Sequence, residues 1–176
     1  ILRDSTPGDE LYQEALEFME CPLFKAICKA FGIDRDVLLI SALEITKAFA
    51  AKKVSGGIPG SVVFISSVYA LVGSAGNAGY AMSKAALHGL TKSLAIELAH
   101  KKIRVNCIAP GFVKTNMMND TGHLFSENYQ SELEKLHPLG IGEPNDVAYA
   151  CAFLLSESSK WITGSIMSVD GGFSAQ

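Results

Sequence analysis

With 176 residues, 48% of them apolar and 19% charged, the chain has the composition of one globular domain with a real core, not of a disordered segment. A formal net charge of −3, with no basic run, removes the electrostatic reason to expect nucleic acid or an anionic membrane as partner. No apolar run approaches the roughly 20 residues that span a bilayer. The opening, Ile1-Leu2-Arg3-Asp4, has neither an initiator Met nor the shape of a signal peptide, as if a longer protein had been entered partway. Cys21, Cys28, Cys107 and Cys151 form no CxxC pair and sit in apolar stretches, where a thiol behaves as a small buried hydrophobe. That usage fits a reducing, cytoplasmic compartment.

In chain order, residues 9–20 and 23–31 show helical spacing on either side of Pro22. Residues 37–52 form a longer helix with one apolar face, followed by the turn 55–60. Residues 61–66, Ser-Val-Val-Phe-Ile-Ser, read as a buried parallel strand. Residues 78–100 read as a helix with Leu87, Leu90, Leu94 and Leu98 along one face. The basic turn Lys101-Lys102 leads into a strand over 103–108, so strand, helix and strand make a right-handed βαβ unit. Segment 115–141 holds Met117, Met118 and His123 and then a polar helical stretch over 127–136. After a strand, such an insertion lies at the carboxyl edge of a parallel sheet, and it is expected to be a lid over a substrate. A further helix starts at Pro144, carries Val147, Cys151, Leu154 and Leu155 inward and ends near Ser159. Residues 165–169 supply a third strand, closed by Asp170-Gly171-Gly172. Alternating β and α elements predict an α/β fold with a doubly wound parallel sheet, in one domain spanning 1–176.

Tyr80 and Lys84 lie four apart at the start of the long helix, so they share a face. A phenol is a poor base at neutral pH, and a neighbouring ammonium favours its phenolate. Ser67, directly after the first strand, adds a hydroxyl able to hold a reacting oxygen. Alone, a Tyr-x-x-x-Lys pair occurs on helix faces by chance. Here it stands in an ordered set: Ile65-Ser66-Ser67, then Tyr80-Ala81-Met82-Ser83-Lys84-Ala85-Ala86, then Ile103-Arg104-Val105-Asn106. Ala109-Pro110-Gly111-Phe112-Val113-Lys114-Thr115 follows, and Ile162-Thr163-Gly164 and Val169-Asp170-Gly171-Gly172 close the series.

In this order the blocks resemble the short-chain dehydrogenase/reductase family over residues 37–174. The resemblance implies an NAD(P)-binding Rossmann-like fold and hydride transfer between NAD(P)(H) and a small carbonyl or secondary-alcohol substrate. It implies that Tyr80 is the acid/base, that Ser67 orients the substrate oxygen, and that Lys84 serves both Tyr80 and the nicotinamide ribose. Pro110, Gly111 and Val113 would face the carboxamide, with Thr115 near carboxamide or phosphate. It also implies a homodimer or homotetramer, paired through the Tyr80 helix and the one before it, where Ala42, Ala48, Ala51, Ala85 and Ala86 allow close approach.

Two departures accompany the resemblance. No glycine-rich strand–turn–helix for a dinucleotide pyrophosphate lies upstream of Ser67, so the N-terminal nucleotide-binding half is expected to be missing and the 176 residues to be inactive alone. NAD and NADP stay undecided for the same reason. The family's catalytic asparagine has no counterpart, since the first Asn is Asn77; Asp34 or Asp36 lies near the matching position. The competing reading is a non-catalytic subunit that uses these helices only for pairing.

Overall fold

The structure is a computed structural model that describes residues 59–115 and 127–176, together with residues 42, 43, 46 and 49–51. The chain divides into two compact units, Ile1–Ile58 and Pro59–Gln176. In the first, the described residues 42, 43, 46, 49 and 50 are helical, as expected for 37–52, and the buried Thr46 returns its hydroxyl to Ala42 O at 2.7 Å. The expected helices 9–20 and 23–31, Asp34, Asp36, Ala48, Cys21 and Cys28 lie outside the described residues.

The second unit is built on three parallel strands, β1 (Gly60–Ile65), β2 (Ile103–Pro110) and β3 (Ile166–Val169), in the order β1-β2-β3. Gly60 pairs with Ile103 and Ile65 with Ile108, while Cys107 pairs with Ile166 and Pro110 with Val169. β2 has a neighbour on each side, and Val105, Cys107, Ile108 and Ala109 are fully buried. β1 was expected to be buried too, but it is of intermediate burial because only one of its edges is paired among the described residues.

Among the described residues of this unit, three helices connect or flank the strands: α1 (Ala78–Leu98), α2 (Glu127–Lys135) and α3 (Pro144–Leu155). Side chains of a strand alternate in direction, which places α1 and α3 on opposite faces of the sheet. Ser66 Oγ donates to Lys84 O of α1, whereas Ser61 Oγ donates to Leu154 O at the end of α3. Ser61 and Ser66 have opposite parity, so the sheet is wound on both sides. α1 buries Gly79, Thr91, Leu94, Ala95 and Leu98, a stripe at three- and four-residue spacing. Leu94 and Leu98 are each 1% exposed, and complete burial of such side chains stabilises by about 1.5–3 kcal/mol apiece. Leu87 and Leu90 are only half-buried, so the apolar seam runs toward the C-terminal half of the helix.

α1 stops earlier than its pattern suggested. A 3-10 turn over Ala99–Lys101 tightens its end, and Lys102 takes a left-handed φ of 56° that turns the chain into β2. His100 and Lys101 fall where the helix dipole favours positive charge. α3 begins as predicted at Pro144, and the Asp146 carboxylate accepts the Glu143 N–H at 2.7 Å. It ends at Leu155 rather than near Ser159, and residues Glu157–Ser159 form a separate 3-10 turn. Leu154 is fully buried but Leu155 is 53% exposed, because the rotation of about 100° per residue carries it off the face that Leu154 buries. No helix among the described residues is long and apolar enough to cross a membrane.

Candidate active site

Parallel strands deliver their carboxyl ends to one edge of the sheet, and the chemistry-bearing residues gather there. Ser66 and Ser67 follow β1, Pro110 ends β2, and Asp170 follows β3. Ser66 N donates to Ile108 O at 2.7 Å and Gly111 N to Val169 O at 3.0 Å, so each departing chain is held to its neighbour.

Ser67 is buried and caps the short 3-10 helix Val68–Ala70, its Oγ accepting the Tyr69 N–H at 3.2 Å. Sequence reasoning gave this hydroxyl only a chemical role; it also shapes the turn. Since the oxygen accepts there, its own proton remains available to donate. Tyr80 lies in the first turn of α1 and is 48% exposed. Lys84, one turn on, donates from Nζ to Ile65 O at 3.2 Å and sits 5.8 Å from the centroid of the Tyr80 ring. The three residues are thus brought to one edge, although among the described residues no hydrogen bond runs directly between their side chains.

The turn after β2 is fixed from two sides. Gly142 N donates to Phe112 O at 3.0 Å and Lys114 N to Gly142 O at 2.9 Å, a bridge that pairs Val113 with Gly142. Lys114 Nζ meets Glu143 at 3.0 Å in an exposed ion pair of little energetic weight. Gly111 has no room for a side chain, since a Cβ there would lie 2.8 Å from Asp170 Cα. Val113 is half-buried and Thr115 is exposed at the end of the turn.

An aromatic cluster, missed in the sequence, underlies this edge. The Tyr69 ring meets those of Tyr80, Phe112 and Phe173 edge-on at 6.4, 5.9 and 6.2 Å between centroids. His137 packs edge-on against Phe112 at 5.5 Å and tilted on Phe173 at 5.0 Å. The residues are far apart in the sequence, and only the folding of three loops onto one edge unites them. Asp170 joins them from the end of β3. Burial raises its carboxyl, but the Ser174 hydroxyl, the N–H groups of Ser174 and Gly172 and the nearby His137 outweigh this and hold it below the ordinary carboxylate value.

The lid expected over 115–141 is described only in part, because residues 116–126, with Met117, Met118 and His123, lie outside the described residues. Its far end is anchored. Leu133 is 4% and His137 2% exposed, and Leu139 N donates to Gly171 O at 3.0 Å. Cys107 and Cys151 are unpaired, and burial pushes both thiols up, which makes them poor nucleophiles.

A family model described as enoyl-(acyl carrier protein) reductase matches residues 21–174. The 3-oxoacyl-acyl-carrier-protein reductase FabG of Chlamydia trachomatis is 44% identical over 97% of this chain and 74% of its own length. The chain belongs to the short-chain dehydrogenase/reductase family. Among solved structures, 4-hydroxyisoleucine dehydrogenase complexed with NADH is 32% identical with a TM-score of 0.73, over 80% of this chain and 58% of its own. ElxO with NADP bound is 33% identical with a TM-score of 0.66, over 75% and 52%. The chain spans about half the length of most of the curated relatives it matches, down to 44% of the Chlamydia muridarum reductase. The fold is accordingly that of the Rossmann-like α/β proteins.

The residues present fit the nicotinamide end of such a cofactor. The Lys84 ammonium has donors beyond the one given to Ile65, and the half-exposed Tyr80 stands one turn before it on the same helix, so both can meet a bound ribose.

Proposed function

We propose that this chain carries the catalytic edge of an NAD(P)(H)-dependent oxidoreductase that interconverts a carbonyl and a secondary alcohol. The observation that carries this reading is the convergence of Ser67, the half-exposed Tyr80 and Lys84 beside the Pro110–Thr115 turn, at the carboxyl ends of β1 and β2. When bound, the nicotinamide supplies or accepts the hydride. Tyr80 gives the proton to the substrate oxygen in reduction and takes it in oxidation. Ser67 hydrogen-bonds the same oxygen through its free O–H, keeping that proton, and stabilises charge that builds there. Lys84, fixed through Ile65 O, presents an ammonium to the phenol and to the ribose. Pro110, Gly111 and Val113 offer backbone to the carboxamide, and Thr115 lies at the outer end of the turn.

The family model is described by an enoyl reduction, whereas the Chlamydia trachomatis relative is named for a 3-oxoacyl one. A Ser–Tyr pair that offers two hydrogen bonds to one oxygen, with only the phenol proton transferred, suits C=O rather than C=C reduction, so a 3-oxoacyl thioester is the first substrate to try. The 176 residues alone should be inactive, because no glycine-rich pyrophosphate turn occurs among them and turnover needs one. A reducing, cytoplasmic setting suits the unpaired Cys107 and Cys151 thiols.

The test is a fluorescence titration with NADH and NADPH, followed by single-turnover reduction of a 3-oxoacyl thioester, on the protein carrying this chain and on its Tyr80→Phe variant. Cofactor binding that survives in the variant while turnover falls by about 100-fold or more supports the assignment. A protein that binds neither nucleotide would instead be a non-catalytic subunit.

A further inference from the structure

His137 is buried, 2% exposed, and both its ring nitrogens face backbone groups of different loops. Nδ1 lies 2.6 Å from Leu133 O in α2. A carbonyl only accepts, so Nδ1 carries the hydrogen. Nε2 receives the Phe112 N–H at 3.2 Å, and an amide only donates, so Nε2 presents its lone pair. One protonation state satisfies both contacts, the neutral Nδ1–H tautomer. The imidazolium would set an N–H against the Phe112 N–H inside a buried site, and one of the two donors would lose its partner.

Phe112 stands at the centre of the turn after β2. Its peptide with Gly111 is planar and trans, so the direction of the Phe112 N–H also fixes the direction of the Gly111 carbonyl. The ring is held as firmly as the turn. Leu139 N bonds Gly171 O at 3.0 Å, Gly140 N bonds His137 O at 2.7 Å, and the imidazole packs against both the Phe112 and Phe173 rings. His137 can therefore neither rotate away nor offer a second acceptor without moving the end of α2.

We propose that His137 is a positioning residue for the Gly111–Lys114 turn, holding it through a hydrogen bond that only the neutral imidazole can make, so that the order of the turn depends on one proton. Its consequence for the nicotinamide cofactor, weaker binding when His137 is protonated, rests on the function proposed above. The groups around the ring are few. Asp170 faces it from the end of β3, and its carboxylate interacts electrostatically with the imidazole. On the turn, Lys114 is paired with Glu143. Glu134 and Lys135 of α2 are exposed to solvent, the Val68–Ala70 turn brings the Tyr69 phenol, and the C-terminal turn Phe173–Ala175 brings no ionisable group.

The experiment is a pH titration of the full chain by NMR, reading the His137 ring nitrogens and the Phe112 amide together. The neutral ring should be the Nδ1–H tautomer. As it takes up the second proton, exchange of the Phe112 amide, corrected for its intrinsic rate, should rise on the order of tenfold with the same midpoint. In His137→Gln a side-chain carbonyl can accept the amide and cannot titrate, so the amide should stay protected at both pH values. In His137→Phe it should exchange fast throughout. An Nε2–H tautomer, or a Phe112 amide indifferent to the protonation of His137, overturns the proposal. In parallel, NADH and NADPH affinity should fall with His137 protonation in the parent and not in the Gln variant. Failure to bind at any pH would count against the proposed function while leaving the amide result to decide the role of His137; strong, pH-independent binding with a responsive amide would detach the turn from the cofactor.

Discussion

Gly111→Ala should damage the turn and the fold together, and its size follows from one clearance. The new Cβ would lie 2.8 Å from Asp170 Cα, 3.0 Å from its Cβ and 3.1 Å from its carbonyl oxygen. Carbon atoms in contact stand about 3.5–4.0 Å apart, so roughly 0.7 Å must be found. The obstructing atoms belong mostly to backbone, and the same glycine donates its N–H to Val169 O at 3.0 Å, so relief means shifting the turn from β3. Overpacking of this kind costs about 1–3 kcal/mol. With a urea slope of about 1–3 kcal/mol per molar, the unfolding midpoint should fall on the order of 1 M. Phe112 N, already 3.2 Å from His137, should lose its bond, and amide exchange reads that directly. Gly142→Ala is the control on the facing side of the bridge. Its Cβ would meet Phe112 O at 3.4 Å and Asp146 Oδ2 at 3.6 Å, so the cost should stay under about 0.5 kcal/mol. Equal midpoints for the two variants would refute the assignment of Gly111 to close backbone approach.

Asp170 is held below its ordinary value of 3.8, so it stabilises the fold above that pH and the contribution is lost as pH falls through the folded value. Acid unfolding of Asp170→Asn, followed by circular dichroism, should accordingly lose part of its pH dependence below about pH 4. Lys84→Met removes the bond to Ile65 O and the ammonium at the site; nucleotide affinity should drop about tenfold or more, with a urea midpoint close to that of the parent. The exposed faces of Ala85, Ala86, Gly89 and Ile96 on α1 leave small and apolar groups open to a two-fold partner, so light scattering at micromolar concentration should report a dimer or tetramer rather than a monomer.

The strands and long helices were legible in the sequence because their periods are strong. Val105, Cys107 and Ala109 alternate within a run apolar enough for burial on both faces, and Leu94 and Leu98 keep helical spacing. Element ends were not legible, because they depend on tertiary partners. α3 stops at Leu155 where Ser61, Arg104 and Ser159 claim the carbonyl of Leu154, and nothing local in Leu154-Leu155-Ser156 announces that. Ser67, Tyr80 and Lys84 could be named through the ordered blocks around them, but the second duty of Ser67 as a helix cap could not. That His137, Tyr69, Phe112 and Phe173 meet was not legible. Each is an ordinary aromatic residue in its own stretch, and their meeting is a property of three loops sharing one sheet edge.

The two ends of the sheet use their polar groups differently, and this separates stability from chemistry. Around the amino end of β2, partners are fully engaged. Arg104 reaches Leu154 O at 2.8 Å, Ser156 O at 3.0 Å and Ile162 O at 3.3 Å, while the fully buried Asn106 donates to Ile162 O at 3.0 Å and accepts Ser165 N at 3.1 Å. At the carboxyl end, the Tyr80 hydroxyl, the Ser67 proton and the remaining Lys84 donors make no hydrogen bond within the described residues, so they are free to meet a ligand. Asn106→Leu keeps the volume but strands the Ser165 N–H and weakens the satisfaction of Ile162 O, so unfolding should cost about 2–5 kcal/mol less than in the parent. The fraction that stays folded should bind nucleotide as the parent does, since the substitution lies under the loop 162–165 and away from the turn. Tyr80→Phe should do the reverse, with stability within about 0.5 kcal/mol and turnover down by about 100-fold or more. Urea denaturation and single-turnover kinetics on both variants of the protein carrying this chain make the comparison. If Asn106→Leu removed turnover from its folded fraction, or Tyr80→Phe lowered the urea midpoint as far as Asn106→Leu does, this division of the sheet into a structural end and a chemical end would be wrong.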